Sequence, residues 1–189
     1  MDQVDYFKLQ AEGSDWSYGS KWGDQMEQAV VELLRTEVRN KKILEIGCGE
    51  GRGMIAMLAF GAIEVHGIDV APDKIAAAKA RGLNVQFMDM HKLNFADKYF
   101  DYIFTSHALE HCLDLKTVLM ECIRVTKDKI IFIIPIRETK EFVAQFNPSH
   151  TYPINDPKEV TDILDSLNLK YHWEEKVRMC HEMWCTITL

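Results

Sequence analysis

The stretch Ile43-Leu44-Glu45-Ile46-Gly47-Cys48-Gly49-Glu50-Gly51 joins a short apolar run to a turn of alternating glycines. A continuous apolar run of this length suits a strand buried on both faces of a parallel sheet. Glycines without a Cβ let the chain turn sharply and let its backbone come close to a ligand. A helix expected over residues 53–60 starts just beyond, with its free N–H groups facing the same crevice. In open α/β sheets that crevice, at the carboxyl ends of the strands, is where ligands bind.

The chain alternates strand and helix on the C-terminal side of this turn. Residues 63–68 read as a second strand and residues 72–80 as an alanine-rich helix, with Gly82 as its stop. Strands follow at 85–88, 102–105 and 130–134, with a helix at 115–125 before the last. A polar and aromatic connection then runs to about Asn155. Asp156-Pro157-Lys158-Glu159 is a helix start: a cap, a proline at the first position and a glutamate at the third. Runs at 169–177 and 183–189 close the chain with no crossover helix between them, so they pair as an antiparallel hairpin at the sheet edge. On the N-terminal side, Asp24 and Glu27 form a capping box for a leading helix over 24–40, ended at Asn40. Residues 1–23 carry Trp16, Tyr18 and Trp22 without helical or strand period and read as an arm. These elements predict an α/β fold with a doubly wound, mostly parallel sheet.

A chain of 189 residues suits a single domain spanning 1–189, and 47% hydrophobic residues supply its core. The formal net charge of −7 removes the usual electrostatic reason to expect a nucleic-acid partner. No apolar window is long enough for a membrane span, and five scattered cysteines read as reduced thiols of a cytoplasmic protein.

The nicotinamide fingerprint G-x-G-x-x-G fails here: Arg52 and Met54 stand where its third glycine belongs. A looser form from Gly51 through Gly53 to Ala56 starts too far past the strand for the tight first turn. The better-placed pattern is E-x-G-x-G-x-G over Glu45, Gly47, Gly49 and Gly51. Asp69 follows at the end of the second strand and Asp89 at the end of the third. The block Phe100-Asp101-Tyr102-Ile103-Phe104-Thr105-Ser106-His107-Ala108-Leu109-Glu110-His111 comes next. Together these resemble the class I S-adenosylmethionine-dependent methyltransferases, and in particular the type 11 methyltransferase-domain family. The resemblance implies a Rossmann-like seven-stranded sheet of order 3-2-1-4-5-7-6. It also implies S-adenosyl-L-methionine as cofactor, S-adenosyl-L-homocysteine as product and a small-molecule acceptor. On it, Glu45, Gly47, Cys48, Gly49 and Gly51 form the cofactor turn. Asp69 and Val70 serve the ribose, Asp89 and Met90 the adenine, and Ser106 and His107 lie by the methionine part. Residues 41–135 are then the cofactor half, and 136–189 the acceptor-side loop and hairpin. A monomer or homodimer is expected.

On the acceptor side, Trp16, Tyr18, Trp22, Phe146, His150 and Tyr152 are the candidates, carried on loops over a rigid sheet. Thr105-Ser106-His107-Ala108 lacks the proline-aromatic motif of nucleobase amine methyltransferases. His107, Glu110 and His111 share a face if the segment is helical, with His150 on a later loop bordering the crevice. Packing, acid/base or acceptor binding, and a metal shell all remain open for this group. Packing is preferred, no metal is assigned, and His107 or His111 is the first choice of base. Two further readings of the whole chain are a non-catalytic methyltransferase-like partner module and a nicotinamide-dependent oxidoreductase.

Overall fold

The structure is a computed structural model and describes residues 34, 37–146, 148–178 and 180–189. The expected arm and most of the leading helix, with Trp16, Tyr18 and Trp22, lie outside the described residues. Residues 37–40, expected as the end of that helix, are turn and irregular backbone; Val38 is buried, and Asn40, at φ 60°, donates its N–H to the Gly61 carbonyl.

Seven strands form one sheet: β1 (Lys42–Ile46), β2 (Glu64–Asp69), β3 (Asn84–Phe87), β4 (Phe100–Ser106), β5 (Thr126–Pro135), β6 (Lys170–Val177) and β7 (His181–Thr188). Their order is 3-2-1-4-5-7-6, with β7 antiparallel to both β5 and β6 and the remaining pairs parallel. The helices are α1 (Arg52–Ala59), α2 (Pro72–Ala80), α3 (Leu115–Val125), α4 (Lys140–Phe146) and α5 (Pro157–Ser166).

Alternation along the central strands feeds two apolar layers, as the period of two requires. Leu44, Ile103, Ile130 and Phe132 pack with Val118 and Leu119 of α3 and with Val160 and Leu164 of α5. Ile43, Tyr102, Phe104 and Ile131 point to the other face, against Met54 and Met57 of α1 and Ile75 and Ala78 of α2. Helix α5 begins as its sequence dictates. The Asp156 side chain accepts from Lys158 N–H while Glu159 bonds back to the cap, with Pro157 at the first position of α5.

Three expectations are corrected. Residues 140–146 form α4 within the stretch read as irregular connection. Strand β5 starts at Thr126 rather than Ile130: Thr126 pairs with Phe100 and Lys129 with Tyr102, and the exposed Lys127 and Asp128 sit at the bulge between these pairs. Residues 107–111 are not a regular helical turn. His107 takes the left-handed conformation at φ 52°, and only Leu109–His111 form a single 3-10 turn. Among the described residues no helix is long and apolar enough to cross a membrane.

Candidate active site

A crevice opens at the carboxyl ends of β1, β2 and β4, where the chain order reverses on either side of β1. Out to its mouth, open solvent included, it spans about 1030 Å³. Ile46, Ile68, Val70, Ala71, Met88 and Met90 give it apolar walls.

Each glycine of the turn has its own reason to lack a side chain. Gly47 takes φ 68°, and a Cβ there would sit 2.4 Å from the Ala108 Cβ. At Gly51, a Cβ would sit 2.0 Å from Leu83 Cδ1, so this glycine packs the turn on α2 and does not line the crevice. Gly49, at φ 52°, has nothing within 4 Å of its Cβ position and lines the crevice. Gly53 was not singled out by sequence; a Cβ there would lie 2.2 Å from Glu45 Oε1. The turn's N–H groups are committed inside the protein. Gly47 and Cys48 donate to the Ile68 carbonyl at 2.9 and 3.0 Å, Gly49 to Asp69 Oδ2 at 2.8 Å, and Gly51 to the Cys48 carbonyl at 2.9 Å. These donors therefore do not form the open anion cradle that a dinucleotide's pyrophosphate needs.

Two of the three acids on the crevice wall, Glu45 and Asp69, stand at strand ends; Glu50 is the third. Glu45 is 1% exposed, and burial pushes its carboxyl up to about 8 despite the Met54 N–H, with Asp69 adding to the rise. Its Oε2 is buried without a hydrogen-bond partner among the described residues. Asp69 is also raised by burial, against the pull of three N–H donors: Ala71, Gly49 and Val70. Its Oδ1 accepts from Val70 and Ala71 at 2.8 and 2.9 Å, so the carboxylate ties the glycine turn to the start of α2. Asp89 departs from expectation. Strand β3 ends at Phe87, two residues before it, and Asp89 is not part of the crevice wall. Its Oδ1 accepts from the His91 N–H at 2.9 Å and faces His91 Nδ1 at 2.6 Å. Met88 and Met90, on either side of it, do line the wall.

Cys48 lines the crevice by its place in the turn, but its buried sulfur packs towards Gly67, and burial pushes the thiol up. Glu50, Arg52 and Lys74 also border the crevice and were not singled out by sequence. Lys74 is buried, with its ammonium 3.4 Å from Glu50 Oε1. Nothing in the local sequence distinguishes this lysine from the exposed Lys79 one turn along α2; only the docking of α2 beside the turn does.

Ser106 and His107 form the wall at the end of β4, and Ser106 Oγ is buried without a hydrogen-bond partner among the described residues. His107 lies between two carboxylates: Nε2 is 3.1 Å from Glu182 Oε1, and Nδ1 is 3.6 Å from Glu110 Oε1. Burial works against its charge, but the two carboxylates outweigh it and hold the imidazolium up to about 9. With a carboxylate facing each ring nitrogen, His107 is a poor proton acceptor, which removes it as the first choice of base. His111 also lines the wall; burial lowers its affinity for a proton. Its Nδ1 is 2.8 Å from the Ser149 carbonyl oxygen. A carbonyl only accepts, so Nδ1 carries the proton and Nε2 is the ring's lone-pair nitrogen.

The acceptor-side candidates divide. His150 and Tyr152 are not in the crevice wall. They sit behind the Leu109–His111 turn, where the Tyr152 N–H donates to the Glu110 carbonyl and Thr151 Oγ1 donates to the His111 and Cys112 carbonyls. The loop thus bonds to the back of the turn. Phe146 closes α4, and its side chain lies outside the described residues.

Residues 44–134 match the methyltransferase-domain family. A demethylmenaquinone methyltransferase of Thermotoga maritima is 31% identical over 134 residues, covering 67% of this chain and 56% of that protein. A probable S-adenosylmethionine-dependent methyltransferase of Mycolicibacterium smegmatis is 26% identical over 145 residues, covering 74% of this chain and 56% of that protein. The chain spans about half the length of the curated relatives it matches. The crystal structure of a SAM-dependent methyltransferase from Archaeoglobus fulgidus superposes with a TM-score of 0.72 at 19% identity, covering 100% of both chains. With the glycine turn, the two strand-end acids, the strand order and the closing hairpin in place, the chain belongs to the class I S-adenosylmethionine-dependent methyltransferase family.

Proposed function

We propose that the protein transfers a methyl group from S-adenosylmethionine to a small-molecule acceptor in the crevice. The observation that carries this reading is the pairing of an open face at Gly49 with a buried acceptor, Glu45 Oε2, that has no hydrogen-bond partner among the described residues, on the wall of one crevice. The residues fit the cofactor's chemistry. An uncharged Glu45 beside open space suits a ligand bearing an ammonium group, whose charge would return the carboxyl to its anionic form. An internally bonded turn suits a phosphate-free ligand better than a dinucleotide, and so weighs against the oxidoreductase reading.

S-Adenosylmethionine supplies a methyl carbon on a sulfonium sulfur, open to in-line displacement by an acceptor lone pair. The chain's own work is to bind, orient and keep water out. Glu45 and Ser106 Oγ offer polar anchors to the amino-acid end of the cofactor. Asp69, with three of its roughly four lone-pair positions used, keeps one for a ribose hydroxyl. Met88 and Met90 offer soft apolar faces to the purine. Asp89, turned towards His91, is given no role in this reading. His111 Nε2 is the wall imidazole nitrogen with a lone pair for a proton or a cation.

The small-molecule reading draws on the net charge of −7 and on the names of relatives, which include ubiquinone biosynthesis O-methyltransferases and a demethylmenaquinone methyltransferase. A tritium-methyl assay against pooled metabolites tests it. Label should appear in an extractable small-molecule fraction; label confined to added protein or nucleic acid contradicts it. For the non-catalytic partner reading, the deciding observation is failure to bind any adenosyl compound.

Asp69→Ala should weaken S-adenosylhomocysteine binding by about 1–3 kcal/mol, the usual loss of a hydrogen-bonding partner at a buried site. Part of that loss comes from releasing the Gly49 N–H. Titration calorimetry reads it, and an unchanged dissociation constant counts against the ribose role.

A further inference from the structure

Behind the Leu109–His111 turn, Glu110 is 0% exposed and both of its carboxylate oxygens lack a hydrogen-bond partner among the described residues. The contact from His107 Nδ1, at 3.6 Å, is too long for a hydrogen bond. Its nearby counter-charge is the His107 imidazolium, and with no hydrogen bond made both oxygens keep acceptor positions that a second cation can take. Two imidazoles stand beside it: one ligand atom from each of Glu110, His111 and His150 lies within 4.8 Å of the others.

The two rings are oriented from behind. His111 Nδ1 meets the Ser149 carbonyl at 2.8 Å, and His150 Nδ1 meets the Glu138 carboxylate at 2.9 Å. In its neutral form each ring therefore carries its proton on Nδ1 and its lone pair on Nε2. Metal-binding histidines are held in this way, with one N–H on a carbonyl or carboxylate and the other nitrogen on the ion. The rings pack edge to face with centroids 4.9 Å apart.

We propose that Glu110, His111 and His150 bind one divalent first-row transition ion of the zinc type. Two of three donors are imidazole nitrogens, a set that favours such ions over Mg²⁺ or Ca²⁺. Ligand–ion distances of about 2.0–2.2 Å need only a modest closing of the three side chains. His111 is the one ligand of the three that lines the crevice, so the ion would sit behind that wall and hold the turn to the Ser149–Tyr152 loop. Sequence spacing assigns no metal here. The loop from Ser149 to Tyr152 creates the site by folding His150 against Glu110.

A second cluster, His107, Cys180 and Glu182, is a weaker candidate. Glu182 is already bonded to His107, Arg178 and Trp184, and the Arg178 cation occupies the ground an ion would need.

The test does not depend on methyl transfer. Chelator-treated full-length protein is titrated with Co²⁺ and followed by visible absorption. The expected result is one Co²⁺ per chain, with ligand-field bands and no thiolate charge-transfer band. Binding should weaken at least ten-fold in the isosteric Glu110→Gln and in His150→Ala, and should be unchanged in Glu175→Gln at the surface pair with Arg137. Circular dichroism checks that each variant is folded. X-ray absorption of the wild-type Zn²⁺ form, expected to show two imidazoles, decides the matter if a variant does not fold. No stoichiometric binding, equal binding by Glu110→Gln, or a thiolate band overturns the proposal.

Discussion

Gly49→Val should raise the dissociation constant for S-adenosylhomocysteine at least a hundred-fold, a loss of about 2.7 kcal/mol or more, while the sheet stays folded. The reason is local. No protein atom lies within 4 Å of the Gly49 Cβ position, so a side chain there meets no wall and grows into the crevice instead. Valine also resists the left-handed backbone that Gly49 holds at φ 52°. Relaxing it would pull the Gly49 N–H from Asp69 Oδ2. Gly47 makes the contrast, because a Cβ there meets Ala108 at 2.4 Å and disturbs packing before it disturbs a ligand. Calorimetry with a circular dichroism control separates these effects. Wild-type affinity in a folded Gly49→Val protein would remove the turn from the binding site.

The second large effect concerns stability. Glu182 is 0% exposed and accepts hydrogen bonds from His107 Nε2 at 3.1 Å, Arg178 Nε at 2.8 Å and Trp184 Nε1 at 2.8 Å. Glu182→Ala leaves two cations and an indole N–H facing a buried void, and should cost about 3–5 kcal/mol in urea unfolding. Burial alone would raise the Glu182 carboxyl, but the three donors outweigh it and hold it down at about 2. A carboxyl lowered on folding stabilises the fold above its ordinary value of 4.5, and that stabilisation fades as pH falls towards 2. The gap between wild type and variant should therefore be full at pH 7 and narrow below about pH 4.5. A gap that is small at pH 7, or independent of pH, would show that the network does not hold β7 to the end of β4.

Much of the fold could be read from residue order, because the decisive signals are local. Pro72 and Gly82 bracket α2, Asp156, Pro157 and Glu159 start α5, and the last two strands have no helix between them. Helix α4 was missed because Lys140–Phe146 is short and lies among loop-like residues. The cofactor side was legible as far as glycines, Glu45 and Asp69 announce themselves by position. Asp89 misled because a strand that stops at Phe87 turns the acid towards His91 instead of the crevice. The acceptor side was the least legible. The loop that carries His150 bonds to the turn through Ser149 and Thr151, contacts 38 to 40 residues apart, and no periodicity encodes these. Gly53 could have been noticed: eight residues beyond Glu45 in a strand–turn–helix unit, it is where α1 crosses the carboxylate, and only a glycine leaves room there.

The most direct test is a crystal structure of the protein soaked with S-adenosylhomocysteine. The account predicts density along the Gly49 turn, with the amino-acid end at Glu45 and Ser106, a ribose hydroxyl at Asp69 and the purine between Met88 and Met90. A crevice without density under saturating ligand, or density seated elsewhere on the chain, would contradict it.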